Sequence, residues 1–286
     1  MGAKRSRTLR WRDCLGQILE RGGGIEISVA QTDAPDAPAS TDLVWRVRLY
    51  AIESDHMVVE MPGTMGRSFD IPVGAKLVGN LSVGQNRWMF HSSVLGSVKS
   101  AGRRGFPALR LALPQGVERC RRGSRDRITT AEVTLPEVRC WPLVDPVSAI
   151  PAELANRARI RELGLARESA DQAPELEAIL LPAVGPEATA CLANIGGGGV
   201  GLRFPPNEQI DLDTRNVYWL RIDLRPWIPA PLTVSARLAH TFTDASQQVH
   251  AGFAFDFSHN IEHREFVIEQ MELCMQRIHG EVRKAA

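Results

Sequence analysis

Between Gly24 and Phe257 the chain is divided into short segments whose apolar residues recur at every second position, and that period decides what it can become. IEISVA alternates Ile25, Ile27 and Val29, and VWRVRLYAI sets Trp45, Val47 and Leu49 on one face. HMVVEM, KLVGNLSV and RWMFHSSVL continue the pattern, punctuated by PGTMG and VGQN. Segments of this length with one apolar face must pair with one another to bury it, so the first hundred or so residues read as a small, mostly antiparallel barrel. A second series follows: ITTAEVTL, ELEAILLPA, TACLANI, VGLRF, VYWLRIDL, LTVSARLAHTF and VHAGFAFDF are of strand length and rich in β-branched or aromatic residues. The expected fold is mainly β, two small antiparallel β-barrels in tandem, with residues 1–117 in the first domain and 118–286 in the second.

Three stretches break the alternation. Trp11, Leu15, Ile18 and Leu19 fall at helical spacing in a segment from about Thr8, which Gly22, Gly23 and Gly24 then end. Residues 146–175 have the alanine, leucine, arginine and glutamate content of a short helix and read as an insertion within the second domain. From Ser258, a plausible N-cap, a stripe of Ile261, Ile268, Met271, Met275, Ile278 and Val282 predicts a long amphipathic terminal helix. The residues between the first two strands, QTDAPDAPASTD, read as a turn-rich linker.

Charge narrows the function. With 34 basic and 33 acidic side chains the chain lacks the cationic excess expected of a DNA- or RNA-binding protein or of a membrane-surface anchor. No stretch is apolar for long enough to span a bilayer, and no apolar segment follows the basic N-terminus. Five cysteines, with no C-x-x-C pair, fit reduced thiols in a cytoplasmic protein. An anionic partner must therefore be met locally, and RCRRGSRDR, Arg119 to Arg127, gathers five arginines in nine positions.

Two other motifs carry less. Gly196, Gly198 and Gly201 satisfy G-x-G-x-x-G, but an extended segment and then Pro205 and Pro206 follow, so there is no helix N-terminus to hold a pyrophosphate. A β-turn or bulge needing positive φ is the expected use of these glycines. HNIEH, His259 to His263, matches the H-x-x-E-H metalloprotease pattern, yet no third ligand or catalytic order accompanies it, so no metal site is assigned and the pair reads as solvated residues at a helix start. No nucleophile–base constellation stands out; the expectation is a non-enzyme.

The arginine cluster lies between LRLALP and ITTAEV, at the proposed domain junction, and contains Arg121 and Arg125 in R-x-x-x-R spacing beside Arg122. Downstream, Asn194, Gly196 and Gly199 form N-x-G-x-x-G. Arginine forks onto the O6 and N7 acceptors of guanine, stacks on its ring or bridges a phosphate, while asparagine meets a base edge. In these motifs the chain resembles a PilZ domain, the cyclic di-GMP receptor module marked by R-x-x-x-R and [D/N]-x-S-x-x-G. The preceding segment, VVEMPGTMGRSFDIPVGAKLVGNLSVGQNRWMFHSSVLG, is similar in pattern to the N-terminal split barrel of flagellar brake (YcgR-like) proteins.

The resemblance implies an N-terminal YcgR-like barrel and a C-terminal PilZ barrel. It also implies a cytoplasmic receptor, associated with the flagellar basal body, that binds cyclic di-GMP through Arg121, Arg122, Arg125, Asn194, Gly196 and Gly199. No other cofactor is implied, and the signal would pass to a protein partner such as the flagellar motor by reorienting the two domains. A degenerate module that contacts proteins and binds no nucleotide is the alternative. Gly196 stands where the motif has serine, a missing hydrogen bond worth about 0.5 to 1.5 kcal/mol. Arg125 and Asn194 are also unusually far apart in sequence, a separation assigned to the helical insertion, which could cover the site.

Overall fold

A computed structural model describes residues 11–29, 43–83, 86–99, 105–119, 135–168, 180–196, 198–208, 210, 212, 215–244 and 247–285. Helix α1 (Trp11–Glu20) buries Leu15 and Ile18 and ends where the glycines begin. Gly23 N–H donates to the Ile18 carbonyl at 2.8 Å and Gly22 N–H to that of Leu19 at 2.9 Å, with Gly22 at φ 61°. This paired closure requires a left-handed residue, which glycine supplies without strain.

The first strands are β1 (Gly24–Val29), β2 (Val44–Ile52), β3 (His56–Glu60), β4 (Gly63–Thr64), β5 (Arg67–Ser68), β6 (Lys76–Val83), β7 (Asn86–Lys99), β8 (Pro107–Ala112) and β9 (Glu118–Arg119). Six of them close a circuit, β1-β6-β7-β8-β3-β2 and back to β1, with every pairing antiparallel. β4 and β5 form a separate hairpin, and β9 pairs with β7.

The second set is β10 (Glu137–Pro142), β11 (Ala188–Gly196), β12 (Gly199–Phe204), β13 (Val217–Ile222), β14 (Leu232–Thr243) and β15 (Val249–Phe255). They close a second antiparallel circuit, β11-β10-β13-β14-β15-β12 and back to β11. A 3₁₀ turn (Pro146–Ser148) and helix α2 (Ala149–Glu168) lie between β10 and β11, and helix α3 (Ile261–Ala285) follows β15. Two antiparallel barrels and a terminal helix are therefore what the period-2 segments make.

The barrels are joined, not merely strung together. β2 and β11 meet in parallel at Trp45 and Ile195, and one continuous apolar core runs from Leu15 in α1 through both barrels to Ile278 in α3. The β4–β5 hairpin reaches α3: Arg67 pairs with Glu265 and, at 3.1 Å, with Glu272, while Arg264 donates to the Met65 carbonyl at 2.7 Å. These partly exposed ion pairs contribute at most about 1 kcal/mol each, so the shared core carries the joint.

Several expectations are corrected. ELEAILLPA is not a strand where it is described: residues 180–183 are irregular, and the only pairing nearby is the single bridge from Val184 to Leu143. The place in the sheet goes instead to EVRCWP, β10, whose Val138, Cys140 and Trp141 are buried although Pro136 and Pro142 bracket the segment. ITTAEVTL lies outside the described residues up to Leu135, as does the linker after β1.

Ser258 does not cap the terminal helix. Its N–H donates to Asp256 Oδ1 at 3.0 Å in a preceding turn, and the helix begins at Ile261, with the Asn260 carbonyl accepting from His263 N–H. Ile261, assigned to the apolar stripe, is 71% exposed; His263, Phe266, Val267, Met271 and Cys274 fill the buried face with Ile268, Met275 and Ile278.

The same shift explains HNIEH. His259 is solvated as expected, but His263 is a core residue whose neutral ring donates through Nε2 to the Thr233 carbonyl at 2.8 Å. Beside it lies buried Glu153 of α2, which accepts from Ser235 Oγ at 3.0 Å and Asn260 Nδ2 at 2.8 Å. Asn156, one turn on, donates to the Pro231 carbonyl and accepts from Thr233 N–H. The two histidines therefore point to different environments, and no group of three or more metal-ligating side chains occurs among the described residues.

Burial holds the His263 pKa below its usual 6.5, opposed by the nearby Glu153 carboxylate, with Arg157 also lowering it. Because the folded value is depressed, stability is full above about pH 6.5 and is lost as pH falls through the folded value, at up to about 1.4 kcal/mol per pH unit. His263→Gln, which keeps a donor for Thr233, should lose less stability than the wild type between pH 7.5 and 5.5 in urea denaturation. Equal losses would mean that the ring binds its proton equally well in the folded and unfolded chain.

Candidate functional site

The outer face of the second barrel and the rim of the first enclose an open cleft of about 740 Å³. Its floor follows from strand parity. In β12, Val200, Leu202 and Phe204 point inward and are buried, so Gly199, Gly201 and Arg203 point outward; in β15, Ala251 and Phe253 are buried and His250, Gly252 and Ala254 face out. Cross-strand register then sets two rows. Asn194, Gly201, Gly252 and His240 stand side by side across β11, β12, β15 and β14, and Cys191, Arg203, His250 and Phe242 form the next row.

The glycines make this floor flat. A Cβ on Gly201 would lie 2.6 Å from Asn194 Oδ1, and one on Gly252 would overlap the His240 ring. Both side chains fold over backbone that only glycine leaves uncovered. Described glycines of the N-x-G-x-x-G stretch have no positive φ, so the expected turn conformation is not their reason; at Gly196 and Gly199 it is close approach, while a Cβ on Gly198 would meet nothing within 4 Å. Gly199 is the tightest case, since a Cβ there would overlap the Phe253 carbonyl of the paired strand. The bulge does occur, between Leu192 and Asn194, and it re-aims Asn194 onto the floor.

The wall comes from the first barrel. Val47 and Leu49 of β2 face its core, which turns Arg46 and Arg48 outward to line the cleft with Glu26, Glu60 and the Gly22–Gly24 closure of α1. Asn194 Nδ2 donates to Glu26 Oε1 at 3.0 Å, and Arg48 N–H donates to Glu60 Oε2 at 3.1 Å. At the far side His250 Nε2 meets Asp244 Oδ2 at 3.0 Å, and its ring stacks on Phe242 with centroids 4.6 Å apart and planes 2° from parallel.

The sequence-predicted residues divide in two. Asn194, Gly196 and Gly199 all line the cleft. Arg121, Arg122 and Arg125 lie outside the described residues. The chain leaves the described region at Arg119, in register with Trp88, and Leu135 where it resumes packs on Val44, Val78 and Met89 and lines the cleft. Gly196, at the serine position of the motif, lies close to β2: a Cβ there would stand 3.1 Å from the Arg46 carbonyl, so a serine would need that strand to give by a few tenths of an ångström. Among the described residues, helix α2 contributes none to the lining; it packs against β14 and α3, away from the floor. Sequence reasoning missed Glu26, Arg46, Arg48, Arg203, His240, Phe242 and His250. The outward phase of each strand was readable, but pairing partners across the two barrels were not.

No protein-family model matches the chain, and no curated protein matches it. Solved structures do. The Bacillus subtilis inhibitor of motility (MotI/DgrA) is 14% identical over 90% of this chain and 96% of that one, with a TM-score of 0.29. The K. pneumonia MrkH–c-di-GMP complex is 12% identical over 95% and 97%, with a TM-score of 0.31. Escherichia coli YcgR in complex with c-di-GMP is 12% identical over 94% and 91%, with a TM-score of 0.28.

Proposed function

We propose that the cleft is a receptor site for cyclic di-GMP and that the protein is a non-catalytic, cytoplasmic signalling receptor of the PilZ type. The observation that carries this reading is the flat glycine floor around Asn194, faced by the outward arginines of β2. A cleft of about 740 Å³ is in the range of nucleotide-sized ligand sites, and its walls offer guanidinium groups for phosphates and purine O6 and N7. The arginine-rich segment leads into Leu135, which lines the cleft, and this supports assigning Arg121, Arg122 and Arg125 to the same ligand. The described residues contain no helix long and apolar enough to cross a membrane.

The relay to a protein partner, such as a flagellar motor component, then follows from the joint. With strand pairing, the Asn194–Glu26 hydrogen bond and a common core tying the barrels, the ligand and both rims form one composite surface for that partner. A protein-contact module without nucleotide is the second reading; the Arg46 approach to Gly196 favours it, because it removes a hydroxyl contact. Calorimetric titration separates the two. Saturable heat with cyclic di-GMP and none with cyclic di-AMP is the expected result, and no heat with either leaves the protein-contact module.

A further inference from the structure

The far wall of the cleft holds an aromatic ring that nothing in the fold explains. Phe242 is 55% exposed near the end of β14, where alternation would allow any polar residue. It is nevertheless held in a fixed plane. One face lies parallel on the His250 imidazole, and His250 is itself anchored by Asp244, whose carboxylate also accepts from Gln248 N–H at 3.1 Å. Thus the connection between β14 and β15 orients His250, and His250 orients Phe242. The ring lines the same cleft as Asn194, one row further from the barrel joint, with His240 beside it in the first row and Arg203 across from His250.

The geometry points to Phe242 as a base-stacking residue: its outer face receives one purine of the bound dinucleotide, while the arginines of the wall meet the phosphates. This rests on the cyclic di-GMP reading above and adds a specific contact to it. An exposed apolar ring is otherwise unfavourable in water, and covering it with a planar base removes that surface while using the ring's π-face, which is open to any base. A pre-oriented ring also avoids the entropy of ordering a mobile side chain on binding. Asp244 and His250 act as positioning residues for this platform, since they hold the ring and do not themselves present it.

The test compares wild type, Phe242→Ala and Phe242→Trp by calorimetry with cyclic di-GMP, with indole emission followed in the third. Phe242→Ala is expected to weaken binding by about 5- to 150-fold while leaving thermal unfolding unchanged. Phe242→Trp should bind at least as tightly as wild type, and its added emission should be quenched by ligand. If wild type binds but Phe242→Ala binds equally well, or the indole is unaffected, the stacking role is overturned and the receptor reading stands. If wild type takes no cyclic di-GMP, the receptor reading falls and this inference falls with it.

Discussion

Replacing Arg121 and Arg125 together by alanine is expected to weaken cyclic di-GMP binding by several kcal/mol, at about 1.5 to 3 kcal/mol for each charged hydrogen bond removed. The chain is nearly neutral, so five arginines in nine positions are a local concentration of positive charge without a general electrostatic purpose. Each guanidinium offers a planar fork that matches a phosphate or the O6/N7 edge of guanine, which lysine would not reproduce. Calorimetry on the folded double variant decides the matter. An unchanged dissociation constant would remove this segment from the site and leave Arg46, Arg48 and Arg203 of the cleft as the anion-facing groups. A Lys/Lys double variant sharpens the result: retained charge with lost affinity would show that geometry, and not charge alone, makes the contact.

Trp45→Ala should cost about 3 to 5 kcal/mol, a large share of the roughly 5 to 15 kcal/mol that holds a typical domain folded. Trp45 is 2% exposed, faces the first barrel's core from β2, pairs with Ile27 and bridges to Ile195 of the second barrel. Its loss leaves a cavity at the joint, where neither barrel can collapse inward without pulling on the other. Urea denaturation followed by tryptophan emission and by circular dichroism is the measurement. The variant should unfold in a single transition at lower denaturant, because the core is continuous; two separated transitions would show that the barrels are independent. Trp45→Phe is expected to cost much less, since it keeps most of the volume and removes an indole N–H with no hydrogen-bond partner among the described residues.

The strands were legible because alternation is a local property. Trp45, Val47 and Leu49 announce their face from sequence alone, and so do Val200 and Leu202. β10 was not legible, since Glu137, Arg139 and two flanking prolines hide a segment whose burial is decided by β11 and β13 on either side. His263 failed for a related reason. Reading HNIEH along the chain cannot reveal that the helix starts two residues later than its polar residues suggest, nor that Thr233 waits as an acceptor. In the cleft, Asn194, Gly196 and Gly199 were found through a motif, whereas Arg46 and Phe242 belong to it only through register across strands far apart in sequence. The cause of the glycines was likewise invisible: the atoms that forbid a side chain at Gly199 and crowd one at Gly196 belong to Phe253 and Arg46.

Strand parity in β2, β12 and β15 has a consequence for how such a chain can change over generations. The inward residues of these strands are committed to packing, and outward ones such as Arg46, Arg48, Gly199, Gly201, Arg203, His250 and Gly252 line the cleft, so the two demands are written on alternate letters of the same words. Substitutions at Arg46, Arg48, Arg203 or His250 can therefore explore new chemistry while the neighbouring Val47, Leu202 and Ala251 keep the barrels intact, surface changes of this kind usually altering stability by less than about 0.5 kcal/mol. The glycine floor is the exception, because there the outward letters are fixed by contact. Drift in ligand preference should accordingly enter from the rim and leave the floor as the most durable trace of ancestry.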